Sequence, residues 1–335
     1  MTQGVGFHMA AAEAICVGMD SSDVAARYLR FAETEARERS PLYAAISRGI
    51  AADREVLGFL LTFPREKQQP NLLLAAVRHL FGTPADWNDF RATLLANRDA
   101  VAALMRSRST QTNEPARCAT LLPLLARLPQ PLALIEVGAS AGLCLLPDRY
   151  GYDYGCATLP GEPMLRCAVN ATTPIPMSAP QIVWRAGLDL NPIDLADADQ
   201  IAWLETLVWP EQTELLSNLR AAIKAAAAAK PRVVRSDLLG DSLARLCDEA
   251  PKNATLVIFH TAVLAYVADP GEREAFGARA MQHGTWISNE MPGVFPEIAK
   301  RAPARGPAGH FLMALNGAPV AWTDPHGASL EWIAA

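Results

Sequence analysis

The run Glu136-Val137-Gly138-Ala139-Ser140-Ala141-Gly142 supports two chemistries by residue type and spacing. Its G-x-S-x-G pattern is that of a hydrolase nucleophile elbow, with Ser140 as the attacking group. Its acid followed by a glycine-rich turn is equally how a strand-to-helix loop holds a nucleotide-type cofactor. An elbow comes after several strands and takes an oxyanion donor from an earlier strand-to-helix loop. Ahead of Leu132 the chain is helical in pattern and holds no His-Gly run, so the elbow is the weaker reading. A P-loop needs a Gly-Lys-Ser/Thr ending that is missing. A dinucleotide fingerprint wants glycine where Ser140 stands, and Glu136 would face a pyrophosphate. A zwitterionic cofactor with a cationic sulfonium suits Glu136 better, which points to S-adenosylmethionine.

Two further acids fit that cofactor. Asp189, in "GLDLNPIDL", ends a second strand-like run, where a carboxylate would bond ribose hydroxyls; Asn191-Pro192 then opens the next helix. Asp237 with its neighbour Leu238, in "VVRSDLLGD", ends a third and would meet the adenine. Asp189 lies further from the glycine-rich loop than the roughly 20 residues typical of a ribose acid. Either an insertion fills that gap or Asp153, in "YDYG", takes the role. Gly138 and Gly142 let backbone approach a ligand, and Ser140 caps a helix or bonds the ligand's carboxylate. His260, ending "TLVIFH", is the candidate base, since an unperturbed pKa of about 6.5 leaves much of it neutral at pH 7. Gln111 and Asn113, in "QTNE", and Glu290, in "SNEMPG", are the candidate acceptor-pocket residues.

Positioning these residues requires strands that end at one edge. "LALIEV", "QIVWRAGLDL", "RVVRSDLL", "ATLVIFHTAVL" and "GTWISNEM" read as strands, with helix-like segments such as "ADQIAWLETLVW", "TELLSNLRAAIKAAAAAK" and "EREAFGARAMQ" between them. Alternating strands and helices predict right-handed crossovers and a doubly wound, Rossmann-like parallel sheet. "HFLMALNGAPVAW", with Asn316-Gly317 between two apolar runs, predicts a closing antiparallel hairpin. From Asp20 to about Leu128 the periodicity is helical, in "SSDVAARYLRFAETEARERSPLYAAISRGIAAD", "DREVLGFLLTF", "PNLLLAAVRHLFG", "ADWNDFRATLLANRDAVAALMRS" and "EPARCATLLPLLARL". The expected organisation is therefore a helical region, 1–128, covering the site, and an α/β domain, 129–335.

Composition narrows the partners. A chain of 335 residues, half hydrophobic, with formal net charge −5, offers no basic field for a phosphate backbone, so no obligatory nucleic-acid partner is expected. The first twenty residues lack the basic flank and long apolar run of a leader or membrane span, so a cytoplasmic, non-membrane protein is expected. Six scattered cysteines, with no C-x-x-C pair, read as reduced thiols, with no metal expected.

The blocks "SPLYAAI", "PNLLLAAVRHL", "QTNEPARC", "IEVGASAGLCLLPDRYGYDYG", "RAGLDLNPIDL" and "WLETLVWPEQ" resemble the bacterial DUF2332 family. The resemblance covers most of the chain and implies a methyltransferase-like fold without a fixed reaction. Where that family's pattern has Asn after "SAGL", this chain has Cys144. The favoured expectation is methyl transfer from S-adenosylmethionine to a small or medium-sized acceptor. Two others remain open, a non-catalytic S-adenosylmethionine- or nucleotide-binding regulator and a serine hydrolase using Ser140.

Overall fold

The structure, a computed structural model, describes residues 21–111, 113–303 and 305–334. The run up to Asp20, on which the expectation of no leader rests, lies outside the described residues, as do Cys16 and Thr112. The chain divides into two compact units, Met1–Thr110 and Gln111–Ala335.

The described part of the first unit is built of helices α1 (Ser21–Arg30), α2 (Pro41–Ala52), α3 (Arg54–Leu60), α4 (Pro70–Phe81), α5 (Trp87–Ala96) and α6 (Arg98–Ser107). Local chemistry sets their ends. Ser40 Oγ accepts from the Tyr43 N–H with Pro41 in the first turn, and Asp53 accepts from the Glu55 and Val56 N–H groups. The single helix expected from Ala85 to Ser107 is two. Asn97 leaves helical geometry (φ −127°, ψ 31°), and its Nδ2 donates to the Thr93 carbonyl at 2.8 Å. Tyr28, Tyr43, Ile46, Ile50, Leu60, Leu72 and Phe90 are buried on the inward faces.

The second unit begins with α7 (Arg117–Leu125), all nine residues of which are buried. A helix buried all round belongs to a core, so α7 packs with the strands that come after it rather than closing the helical third. The strands are β1 (Leu132–Val137), β2 (Gly151–Asp153), β3 (Thr158–Leu159), β4 (Met164–Arg166), β5 (Ala168–Val169), β6 (Ile182–Asp189), β7 (Arg232–Arg235), β8 (Thr255–Thr261), β9 (Thr285–Glu290), β10 (Phe311–Leu315), β11 (Ala318–Thr323) and β12 (Ser329–Trp332). Among the described residues nine of them form one mostly parallel sheet, ordered β5-β12-β11-β10-β9-β8-β1-β6-β7. The run β9-β8-β1-β6-β7 is parallel throughout; β10, β11 and β12 continue it antiparallel, with Asn316 (φ 48°) and Gly317 (φ 75°) at the predicted hairpin turn. The helix after β6, α8 (Ala198–Leu207), opens later than Asn191-Pro192, because the Asp197 side chain caps it by accepting from the Asp199 and Gln200 N–H groups.

Helices lie on both faces because alternate residues of each buried strand point to opposite sides. Leu132, Leu134, Val257, Phe259, Ile287 and Met313 pack with α7 and with α9 (Thr213–Ala229). Ile135, Val137, Ile258 and Trp286 pack with the helices Ser242–Glu249 and Pro270–His283. The chain moves outward from β1 through β6 to β7, then returns to place β8 on the other side of β1. The carboxyl ends of β1 and β8 therefore flank the point where strand order reverses. The segment between β1 and β6 carries a separate sheet, β3-β2-β4. Asp153 lies in that sheet, so the strand beside β1 ends in Asp189.

Candidate functional site

The turn after β1 is held in left-handed backbone at Gly138 (φ 76°), Ser140 (φ 48°) and Gly142 (φ 70°). The two glycines are required by neighbours within the protein. A Cβ on Gly138 would stand 2.3 Å from Val263 Cγ2, and one on Gly142 would stand 2.9 Å from Pro231 Cγ. Gly142 thus faces Pro231 and Val233, where a ligand was expected from the sequence. Ser140 tolerates its strained geometry because it is tied on three sides. Its N–H donates to Asp189 Oδ2 at 2.8 Å, its Oγ accepts from Asn113 Nδ2 at 3.0 Å, and its carbonyl accepts from the Ile193 N–H at 3.1 Å. Asn113 Oδ1 also accepts from the Ala141 N–H at 3.2 Å, so one amide clamps two consecutive residues of the turn. Among the described residues no histidine bonds Ser140.

Beneath the turn Glu136 is 5% exposed and its Oε2 has no hydrogen-bond partner. Burial pushes its carboxyl well above the usual range; the neighbouring Cys144 and Asp189 push the same way, and the Arg117 guanidinium opposes them. A buried, incompletely bonded acid at this position is a demand for a cation or a donor.

Asp189 ties the edge together, since Oδ2 holds Ser140 and Oδ1 accepts from the Asn191 N–H at 2.7 Å. Gln111 Nε2 reaches the Asn191 carbonyl at 3.0 Å. Gln111, Asn113, Ser140 and Asp189 are therefore brought into one bonded group. Asp237 is one strand further out and exposed, with Oδ1 accepting from the Leu239 N–H at 2.9 Å; Leu238 is half-buried on the side of the helix Ser242–Glu249. Cys144 is buried, and its thiol lies 3.5 Å from the Glu114 carbonyl that accepts from it. Among the described residues no three His, Cys, Asp or Glu side chains converge to hold a metal ion, and no helix is long and apolar enough to cross a membrane.

His260 stands at the carboxyl edge as expected, but its ring does not face a cavity. It is fully buried against Phe276, Trp286 and Phe295. Trp286 Nε1, which can only donate, bonds Nε2 at 3.1 Å; this fixes the proton on Nδ1, which donates to Glu290 Oε1 at 2.8 Å. Both nitrogens are spent, which corrects the role expected of His260 as a base. Glu290 is also inward, at 2% exposure; its Oε1 accepts from the Val263 and Leu264 N–H groups at 2.8 and 2.9 Å, and Oε2 has no partner. The pair fixes the turn after β8, whose Val263 side chain fills the space over Gly138.

Sequence reasoning missed Arg117, Thr261, Asn289 and Thr323. Arg117, at the start of α7, donates through Nε to the Pro325 carbonyl (2.8 Å) and through Nη1 to the Thr261 carbonyl (3.2 Å) and Oγ1 (3.1 Å). A lone arginine opening a helix with no other charged residue was the available signal. Thr261, Asn289 and Thr323 read as ordinary strand-end residues, because only the register of β8, β9 and β11 assembles them.

The sequence model of the family described as "uncharacterized protein conserved in bacteria (DUF2332)" matches residues 25–332. No curated protein matches the chain.

Proposed function

The chain belongs to this family, and on that premise we propose that it transfers a methyl group from S-adenosylmethionine to a small or medium-sized acceptor, on a Rossmann-type sheet. The observation that carries this reading is Glu136, a buried carboxylate with one oxygen unpartnered, under a left-handed turn beside the reversal in strand order. Open parallel sheets bind ligands in the crevice at that reversal.

The donor set fits the cofactor's parts. Glu136 would meet the ammonium of its amino-acid portion, Asp189 its ribose hydroxyls, and Asp237 with Leu238 its adenine. Asp189 keeps spare acceptor capacity after its two backbone bonds, since each carboxylate oxygen accepts more than once. The bound cofactor supplies an electrophilic methyl carried on a sulfonium. This chain's residues bind, orient and dehydrate the reactants: Asn113 and Asp189 hold the turn rigid, and Glu290 holds the facing Val263 turn. Positioning of this kind supplies much of the rate of an in-line displacement. His260 contributes as a positioning residue for Glu290.

Equilibrium binding of S-adenosylmethionine and S-adenosylhomocysteine tests the reading. One-to-one binding that weakens about tenfold or more in Glu136→Gln, by loss of a charge-assisted contact, supports it. Failure of the wild-type chain to bind either compound rejects it.

A further inference from the structure

Asn289 is 1% exposed and its side chain holds a buried N–H group that meets no acceptor among the described residues; Arg117, 7% exposed, bonds through two of its three guanidinium nitrogens. Arg117 spends Nε and Nη1 on Pro325 and Thr261, which leaves Nη2. Asn289 spends Oδ1 on the Thr323 hydroxyl at 2.7 Å, which leaves Nδ2 buried and unpartnered. Thr261 and Asn289 are register partners across β8 and β9, and Asn289 pairs on its other side with Met313, which packs on the α7 face. Both unspent donors therefore sit on one patch at the carboxyl edge, under the start of α7.

A buried guanidinium ordinarily lies against a carboxylate, because an uncompensated charge out of water is costly. Among the described residues none lies within ion-pair distance of Arg117. The acids nearby are otherwise engaged. Glu114 Oε1 accepts from the Ala116 N–H at 3.0 Å and its Oε2 stands 3.6 Å from His326 Nδ1, while burial drives Glu136 toward its neutral form. What would complete the patch is a planar group with two acceptor oxygens and a single negative charge, one oxygen to each donor.

We propose that Arg117 and Asn289 form a carboxylate-binding subsite and that, given the methyl-transfer reading above, the acceptor carries the carboxylate held there. An acceptor anchored in this way is oriented without any titrating side chain, in keeping with the occupied nitrogens of His260.

Thermal unfolding of the full chain in sodium acetate, against sodium chloride at matched ionic strength and with acetamide as the neutral isostere, tests the subsite. Acetate is expected to raise the midpoint saturably and acetamide to have no effect. Arg117→Gln should weaken the apparent acetate affinity about tenfold or more. Asn289→Asp, which brings its own carboxylate, should abolish the response and decides the matter if Arg117→Gln does not fold. No response in the wild type, or an unchanged response in Asn289→Asp, overturns the subsite. S-adenosylhomocysteine, titrated in parallel by calorimetry, separates the two claims. Its binding without an acetate response removes the subsite and leaves the methyl-transfer reading, and the converse removes the reading and leaves the subsite. Additive binding of the two supports the acceptor assignment. Competition overturns it, because the subsite would then take the cofactor's own carboxylate.

Discussion

Glu136 shows how one buried side chain couples stability to pH. Its carboxyl titrates above the usual range in the folded chain because burial disfavours the charged form. The folded state therefore binds more protons than the unfolded state between the unfolded and folded pKa values, and stability falls as pH rises through that window. Stability contributed by the neutral acid is full below the usual carboxylate range and is lost above it. Glu136→Gln should remove this loss, so its unfolding midpoint should exceed that of the wild type at pH 8 and approach it near pH 4; superimposable pH profiles would contradict the assignment. At Gly138 the left-handed φ costs a side chain about 1–2 kcal/mol, and the approach to Val263 adds about 1–3 kcal/mol of overpacking. Gly138→Ala should accordingly lower stability by several kcal/mol in chemical denaturation. The acid and glycines of the turn were legible because Glu-x-Gly-x-Ser-x-Gly is contiguous. The reason for each glycine was not, since Val263, Pro231 and Val233 lie far along the chain.

At the scale of elements, the turn after β8 is positioned by a carboxylate on β9. Glu290 Oε1 gathers Nδ1 of His260 and two backbone N–H groups, which sets Val263 over Gly138. Glu290→Leu leaves those donors without their acceptor, so a loss of about 3 kcal/mol or more is expected, together with loss of ligand affinity. His260→Gln, which leaves the Glu290 carboxylate in place, should retain much of that affinity, and if the chain transfers methyl groups this variant should keep the wild-type pH dependence. A pH profile that loses a limb in His260→Gln would restore that residue as a base. Pattern located β1, β6, β7, β8 and β9 because each is a short apolar run stopped by turn residues. It assigned α7 to the helical third, because hydrophobicity all round a helix tells that it is buried without telling against what. The break at Asn97 was hidden within good helical periodicity, where one side chain bonding back to Thr93 is enough to end a helix.

Over the whole second unit, strand order determines which residues share an edge. Alternating strands and helices indicated a largely parallel sheet, and Asn316-Gly317 indicated the antiparallel turn at its far side. Arg117, Thr261, Asn289 and Thr323 meet only because α7, β8, β9 and β11 converge there, an assembly with no local signature. The segment between β1 and β6 sets Asp189 far along the sequence while leaving it one strand from Glu136. If the edge is an S-adenosylmethionine site, a cationic group brought against Glu136 must lower its raised pKa and release protons on binding. Calorimetric titration of S-adenosylhomocysteine at pH 6 in two buffers of different ionisation enthalpy measures this directly. One-to-one binding is predicted, with a buffer-dependent enthalpy reporting proton release in the wild type and none in Glu136→Gln; absence of binding, or equal proton release in both proteins, would contradict the S-adenosylmethionine site.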